Sequence, residues 1–174
     1  AVEQVRFNYF YLLNNDMINH LEKMEGVKTA EGARETSMQI LTVAGNFDAI
    51  DIQSKDYSQS EIGTVTLVKG SWPPQKNQIV LSNHKIKNLQ AEIGDWVVLQ
   101  DSSGEEYKLQ VVGIVKDQTV GSEGGVGGFF AANTKGYVDK DTLRKLHIQL
   151  PDYDNTVEII VDGDSSQTQL LNDI

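Results

Sequence analysis

The chain has 174 residues, of which 39% are apolar and 23% charged, so it can bury a stable core and a disordered protein is excluded. Its 25 Asp and Glu against 15 Lys and Arg give a formal net charge of −10, and with no basic stripe to override this field we expect no nucleic-acid partner. Cysteine is absent, which excludes disulfides, thiolate catalysis and cysteine-ligated metals.

The first 24 residues carry apolar side chains at spacings of three and four, which predicts one amphipathic helix that ends at Gly26. The residues on this stripe are Val2, Val5, Tyr9, Leu13, Met17, Leu21 and Met24. Part of the helix is apolar nearly all round because it also holds an aromatic group, Phe7, Tyr9, Phe10 and Tyr11. Two explanations stay open: packing against a second lobe or a neighbouring molecule, or an aromatic belt close to a bilayer or a partner subunit.

Strands dominate the next part of the chain. They are predicted over Val27–Ala33 and Met38–Val43, with a short segment at Ala49–Ile52 that could pair at a sheet edge. From Ile62 the strands are short and separated by turns, over Thr64–Val68, Gln78–Leu81, Asp95–Leu99 and Tyr107–Val115. A turn at 101–104 joins the last two, with Gly104 near the position that needs positive φ. Between the second and third of these strands, Ser82 is predicted to cap a two-turn helix over Asn83–Leu89.

Residues 121–128 contain five Gly in eight positions, which is costly in backbone entropy to order and predicts a mobile flap. A phosphate-binding loop is disfavoured there, because no Gly-Lys-Ser/Thr ends the segment and Glu123 would repel phosphate. The last predicted elements are a capped helix over Asp139–Leu146, a buried strand over Thr156–Val161 and the start of a helix over Ser165–Ile174.

Catalytic and metal-binding groups find little support in the sequence. His20, His84 and His147 are isolated, and none has a partner at the spacing of a helical metal site, so we expect no metal ion. Ser122 lacks an identifiable base, and an enzyme would require it to meet His84 or His147 in a closed pocket. We therefore expect neither catalysis nor a cofactor in this chain.

Apolar groups beside the flap and in a rigid elbow are the candidate partner contacts. Phe129 and Phe130 directly follow the flap, which begins at Gly121, and either anchor the loop or touch another protein. Trp72 carries a large ring on the elbow Trp72-Pro73-Pro74. Trp72, Gly121, Phe129 and Phe130 are therefore the predicted contact residues.

Four motifs follow one another along the chain, and their order carries a family resemblance. They are Val68-Lys69-Gly70-Ser71-Trp72-Pro73-Pro74, Asn77-Gln78-Ile79-Val80-Leu81-Ser82, Leu89-Gln90-Ala91-Glu92-Ile93-Gly94-Asp95-Trp96-Val97 and Leu109-Gln110-Val111-Val112-Gly113-Ile114-Val115. Over about residues 64–148 this order resembles the extracytoplasmic core domain of MacB/FtsX-like ABC transporter permeases. Gln78 stands where the family usually has an acidic residue.

The resemblance implies an α+β fold of two lobes. Residues 1–62 and 150–174 would form a membrane-proximal helix/strand lobe, and residues 63–149 an inserted, small β-rich lobe. The N-terminal helix would continue from a membrane helix, and residues 156–161 would return to pair with the early strands. The start at Ala1 without Met, and an end inside a predicted helix, fit a segment cut from a longer protein.

The resemblance also implies a non-catalytic domain of a cytoplasmic-membrane protein, facing the extracellular or periplasmic side. A separate cytoplasmic ABC ATPase subunit would hydrolyse ATP, and the domain would couple that hydrolysis to extracytoplasmic movement, substrate export or partner interaction. A second permease copy, and the membrane through flanking helices, are the other expected partners. The alternative is a secreted or surface-exposed binding module of an unrelated family, which the acidic balance and the absence of Cys also fit.

Overall fold

The structure is a computed structural model that describes residues 3–13, 15–60, 65–117, 133–146 and 154–161. Nine strands and three helices lie in these ranges, and the predicted mixed α+β class is confirmed, with the strands dominant. In chain order they are β1 Glu3–Leu13, α1 Asn15–Glu22, β2 Val27–Leu41, β3 Phe47–Ser54, β4 Val65–Gly70, β5 Gln78–Ser82, α2 Ile86–Leu89, β6 Trp96–Gln100, β7 Glu106–Asp117, β8 Thr134–Tyr137, α3 Lys140–Leu146 and β9 Asp154–Val161.

The predicted N-terminal helix is wrong over its first half. Residues 3–13 form β1, which pairs antiparallel with β9, and helix α1 begins only at Asn15. The sequence allows this because a second period is present: Val5, Phe7, Tyr9, Tyr11 and Leu13 occupy every second position, as in a strand. Aromatic and β-branched residues favour strands when a partner strand is available, and β9 supplies that partner.

Six strands close into a ring of backbone pairings. The order is β2–β3–β8–β5–β7–β6 and back to β2, with β3–β8 and β5–β7 parallel and the other pairs antiparallel. The closing contact between β2 and β6 is short and consists of Gln39↔Gln100 and Ile40↔Leu99. Because the ring closes, each of its six strands is paired along both edges over part of its length. This leaves fewer unpaired edges at which another chain could add a strand.

The ring has a filled apolar interior. Its strands contribute Met38, Ile40, Ile50, Ile52, Ile79, Leu81, Val97, Leu99, Tyr107, Leu109 and Val111 to one buried cluster, and Leu89 of α2 and Leu143 and Leu146 of α3 join it. Gly136 of β8 also faces this interior, because a Cβ there would lie 2.9 Å from Cδ1 of both Ile52 and Ile79. The interior of the ring is therefore filled by side chains, and it has no room for a side chain at position 136.

Strand β2 belongs to two parts of the sheet. Two strands were predicted here, but a single strand of 15 residues is present. Its first half, Val27–Ala33, pairs with β9, and its second half, Arg34–Leu41, pairs with β3 in the ring. Beside the first half, α1 packs on a second apolar cluster of Ile18, Leu21, Ala30, Val157 and Ile159. The prediction that residues 156–161 pair with the early strands is confirmed, since β9 lies between β1 and β2.

The ring takes strands from both sides of the predicted lobe boundary at residue 62, and the division of the chain into two lobes stays a prediction. Strand β3, expected at a sheet edge, lies instead between β2 and β8. Its Ile50 and Ile52 side chains face the apolar interior of the ring and are fully buried.

Capping differs between the two later helices. Helix α2 begins only at Ile86 and has no side-chain cap, so the prediction that Ser82 is its N-cap is wrong. Ser82 ends β5, and its hydroxyl accepts a hydrogen bond from the Lys135 N–H at 3.1 Å. The cap of α3 is confirmed, because the Thr142 N–H donates to Asp139 Oδ1 at 2.8 Å. The predicted flap at 121–128 and the predicted last helix fall outside the described residues.

Candidate functional site

Trp72 lies half-buried in an aromatic cluster outside the ring. Its ring meets Tyr57 and Tyr137 edge-on, with centroids 4.7 and 5.4 Å away. The Tyr57 hydroxyl is 3.0 Å from the Gln53 carbonyl oxygen and 2.9 Å from that of Val138, so the cluster is tied to the backbone. Trp72 therefore has a packing role, and its contact with a partner stays a prediction. The other predicted contact residues, Gly121, Phe129 and Phe130, lie outside the described residues.

A buried polar junction lies where β2 passes from β9 into the ring. Lys55 Nζ is 3.6 Å from Glu31 Oε2, and the two side chains are only 5% and 17% exposed. The Ser60 hydroxyl donates to the same Glu31 oxygen at 2.7 Å. Buried charges are tolerated when they are paired and hydrogen-bonded, and removing one partner is costly. The junction of Glu31, Lys55 and Ser60 thus fixes the segment after β3 against β2.

The outward face of β2 and β6 carries exposed apolar side chains. Val97 and Leu99 are buried in the ring, so Trp96 and Val98 alternate outward, and Trp96 is 60% exposed. On the neighbouring strands the outward residues are Leu41, which is 37% exposed, and its register partner Phe47, which is half-buried. Val43, 58% exposed, follows in the turn after β2. We call these five residues, Leu41, Val43, Phe47, Trp96 and Val98, the apolar stripe.

The sequence prediction missed this surface. Trp96 was placed in the predicted strand Asp95–Leu99 without being assigned to a surface, although the run Trp96-Val97-Val98-Leu99-Gln100 carries the signal. If Val97 and Leu99 face a core, Trp96 has to face away from it, because the side chains of a strand alternate. The contribution of Leu41 and Phe47 depends on the register of β2 with β3, which the sequence alone does not contain.

Acidic residues are concentrated around the apolar stripe. The segments 39–48 and 92–110, which contain the stripe, hold six acidic residues and one basic residue, a net of −5 out of the chain's −10. The acidic residues are Asp48, Glu92, Asp95, Asp101, Glu105 and Glu106, and the basic residue is Lys108. Glu106 pairs with Gln100 at one end of β6, whereas Glu92 and Asp95 precede Trp96 at the other end. Carboxylates therefore lie at both ends of β6, and the exposed Lys108, which pairs with Val98, lies between them on the same outward face.

The hairpin after β6 is held by a network of hydrogen bonds on Asp101. Its Oδ1 accepts from the Ser103 hydroxyl at 2.6 Å and from the N–H groups of Ser103 and Glu105 at 2.9 and 3.0 Å. These bonds, with the Ser103 hydroxyl first, hold the pKa of Asp101 below its usual value. The Tyr107 hydroxyl donates to Asp101 Oδ2 at 3.2 Å. Burial, followed by the carboxylates of Glu105 and Asp101, raises the pKa of Tyr107 to about 12.

This shift predicts a loss of stability at alkaline pH. The folded protein holds the Tyr107 proton more tightly than the unfolded chain, so the free energy of unfolding falls as the pH rises from 10.0 to about 12. In Tyr107→Phe we expect a shallower fall over this window, measured by urea unfolding at a series of pH values. The tyrosinate absorbance of the folded wild-type protein minus that of the variant should titrate near the upper end of the window. A titration at the ordinary tyrosine pKa would contradict the assignment.

The described residues contain neither a metal-binding group nor a membrane-spanning helix. Within the described ranges, no three His, Cys, Asp or Glu side chains are grouped so that they could hold a metal ion. In the same part of the chain, none of the helices has the length and apolar character that a bilayer crossing requires. Ser122 and His147, which the hydrolase hypothesis needs, are not among the described residues.

Comparison with known proteins identifies the fold. No family model matches the sequence, and no curated protein matches it. Three similar solved structures are transporter domains. The extracellular domain of the noncanonic ABC-type transporter YknZ from Gram-positive bacteria has a TM-score of 0.56 and 14% identity, over 99% of this chain and 88% of that one. The periplasmic region of MacB from Actinobacillus actinomycetemcomitans has a TM-score of 0.57 and 13% identity, over 98% and 79%.

The third structure is a domain of a permease protein from Porphyromonas gingivalis, with a TM-score of 0.52 and 12% identity, over 97% of this chain and 77% of that one. All three similarities extend over nearly the whole chain, so they include β1, β2 and β9 as well as the ring. The fold expected from the motif order, that of the extracytoplasmic domain of MacB-like permeases, is therefore confirmed.

Proposed function

We propose that this chain is the extracytoplasmic domain of an ABC transporter permease, placed outside the cytoplasmic membrane and without catalytic activity of its own. The observation that carries the proposal is the shared fold with the extracellular and periplasmic domains of YknZ and MacB over 98–99% of the chain. In this proposal a separate cytoplasmic ATPase subunit hydrolyses ATP, and a second permease copy and flanking membrane helices complete the transporter.

The arrangement of β2 supports a role in transmitting movement. This strand pairs with β9 along its first half and with β3 along its second half, so no loop interrupts the connection between them. The polar junction fixes Lys55, just after β3, to Glu31 on β2. A displacement that reaches β1 and β9 would therefore be passed to the ring as a rigid-body movement rather than lost in a flexible linker. ATP-driven closure elsewhere would supply that displacement as a population shift.

The proposal is tested by labelling single cysteines in the natural gene product in its own host. The chain has no Cys, so Ser102→Cys and Ser54→Cys each introduce the only thiol in this domain. Ser102 is exposed in the hairpin turn, whereas Ser54 is 1% exposed and its hydroxyl has no hydrogen-bond partner, so both replacements should fold. We expect a membrane-impermeant maleimide to label Ser102→Cys in intact cells, or in spheroplasts if an outer membrane is present. Ser54→Cys should react only after denaturation.

Fractionation and copurification separate the alternatives. An ABC permease should stay in the membrane fraction and, purified in mild detergent, should bring with it a subunit that hydrolyses ATP. Labelling of Ser102→Cys only after cell lysis would exclude an extracytoplasmic location. Efficient labelling of a protein that is released into the medium and copurifies with no ATPase would instead favour a secreted binding module.

A further inference from the structure

We propose that the apolar stripe is a docking surface for a polypeptide segment that carries apolar side chains flanked by Lys or Arg. The inference uses the exposure of the stripe and the charge around it, and it does not depend on the assignment to a transporter.

The apolar part of the proposal follows from the exposure of Trp96. A tryptophan that is 60% exposed leaves a large apolar area in water, and it shares the outward face of β6 with Val98, which the Ile40↔Leu99 pair places next to Leu41 of β2. Single exposed apolar residues are ordinary, but a group on adjacent strands is typical of binding surfaces. Tryptophan is also enriched at the centres of interfaces, because it buries a large rigid area with little loss of side-chain freedom. The stripe therefore fits apolar side chains of a partner.

The charge around the stripe identifies the kind of partner. Its segments carry a net charge of −5, and the register puts Glu106 at one end of β6, Glu92 and Asp95 before the other end, and the single Lys108 opposite Val98 between them. A second copy of this chain would bring the same carboxylates against them, and anionic lipid or nucleic acid would also be repelled. A segment with basic residues on both sides of an apolar centre satisfies both the stripe and its rim.

The backbone at this position also favours a fixed surface. Val97 and Leu99 anchor β6 in the ring core, and the Asp95 carboxylate accepts a hydrogen bond from the Glu92 N–H at 2.9 Å in the turn before Trp96. The Gly94 N–H donates to the Val111 carbonyl at 2.8 Å, which ties the same turn to β7. A surface that is ordered before binding loses little conformational entropy when a partner docks.

The test uses the two tryptophans of the chain as reporters, Trp72 in the aromatic cluster and Trp96 in the stripe. The protein is labelled with 5-fluorotryptophan, and its two fluorine resonances are assigned with Trp96→Phe. The probe is a synthetic peptide, Lys-Lys-Leu-Val-Phe-Leu-Lys-Lys, and the control peptide has Glu in place of every Lys. We expect the Lys peptide to shift the Trp96 resonance saturably and to leave the Trp72 resonance in place, and the Glu peptide to shift neither.

Matched variants distinguish specific binding of the peptide at the stripe from nonspecific association with the protein. Leu41→Gln should weaken binding of the Lys peptide by about tenfold, as for a central interface residue, whereas Leu67→Gln, a similarly exposed leucine on β4, should leave it unchanged. The pair Glu92→Gln and Glu106→Gln should weaken binding and its salt dependence, and Asp16→Asn with Glu25→Gln near α1 should not. The proposal is overturned if Trp96 does not respond, if both peptides bind equally, if phosphatidylglycerol vesicles shift Trp96, or if the protein alone self-associates through it.

Discussion

Replacing Leu99 with Ala should destabilise the protein by about 3–5 kcal/mol, the upper part of the range for leucine truncation in a packed core. Leu99 is fully buried and pairs with Ile40, also fully buried, at the contact that closes the ring. Only two residue pairs join β2 and β6 there, so side-chain packing has to hold the closure. Urea unfolding gives the change in free energy, and hydrogen exchange should show the largest loss of protection in β2 and β6.

Leu67→Ala is the control for this substitution. Leu67 lies on β4 outside the ring and is 44% exposed, so its truncation should change stability by less than about 1 kcal/mol. Equal effects of the two substitutions, or unchanged exchange in β6 of Leu99→Ala, would mean that the ring is not closed by this contact.

Gly70→Ala should destabilise the protein by about 3 kcal/mol. Gly70 has φ +84°, which disfavours any L side chain, and a Cβ there would lie 2.2 Å from the Val112 carbonyl oxygen and 2.9 Å from the Cα of Gly113. Both obstacles are backbone atoms of the neighbouring strand β7, so relief requires β4 to move. The left-handed backbone accounts for about 1–2 kcal/mol of the loss and overpacking for the remainder. Thermal or urea unfolding measures the sum.

Gly45→Ala isolates the backbone part of that cost. Gly45 has the same φ of +84°, but its added Cβ would meet nothing within 4 Å. We therefore expect Gly45→Ala to cost only about 1–2 kcal/mol. If Gly70→Ala cost no more than Gly45→Ala, the close approach of β4 to β7 would not be a constraint on this fold.

The sequence predicted the short strands well because residues nearby in the sequence mark where each strand begins and ends. β4, β5, β6 and β7 each contain a β-branched or apolar run bounded by turn residues, and each prediction agrees with the structure to within about two residues. Such features depend on residues that are neighbours in sequence or in one hairpin.

The rest of the fold depends on partners that are distant in the chain. The apolar spacing of residues 3–13 fits a helix and a strand, and β9, about 150 residues later, selects the strand. β8 is only the four residues Thr134–Tyr137, with little apolar pattern, and it is a strand because β3 and β5 pair with it. Ring closure rests on a two-pair contact across about 60 residues of sequence, which no local pattern reveals.

Only part of the apolar stripe could be predicted from the sequence, because the rest depends on strands that are distant in the chain. Alternation within β6 places Trp96 opposite Val97 and Leu99, and this inference needs one strand alone. The neighbourhood of Trp96 requires the β2–β3 and β2–β6 registers, which bring residues 41 and 47 to the same outward face. The pairing of strands that are distant in the chain therefore places residues 41 and 47 on the same face as the exposed Trp96 side chain, and together they form one apolar surface.

Strand β2 extends over a long distance across the sheet. At about 3.3 Å per residue, its 15 residues extend for about 50 Å, which is long compared with ordinary strands of about five or six residues. Its Val27 end lies beside β9 and its Leu41 end at the apolar stripe, so one continuous strand joins the part of the sheet that contacts α1 to that surface. Under the proposed transmission of movement, a small tilt at the Val27 end would displace the Leu41 end by a distance that grows with the length of the strand.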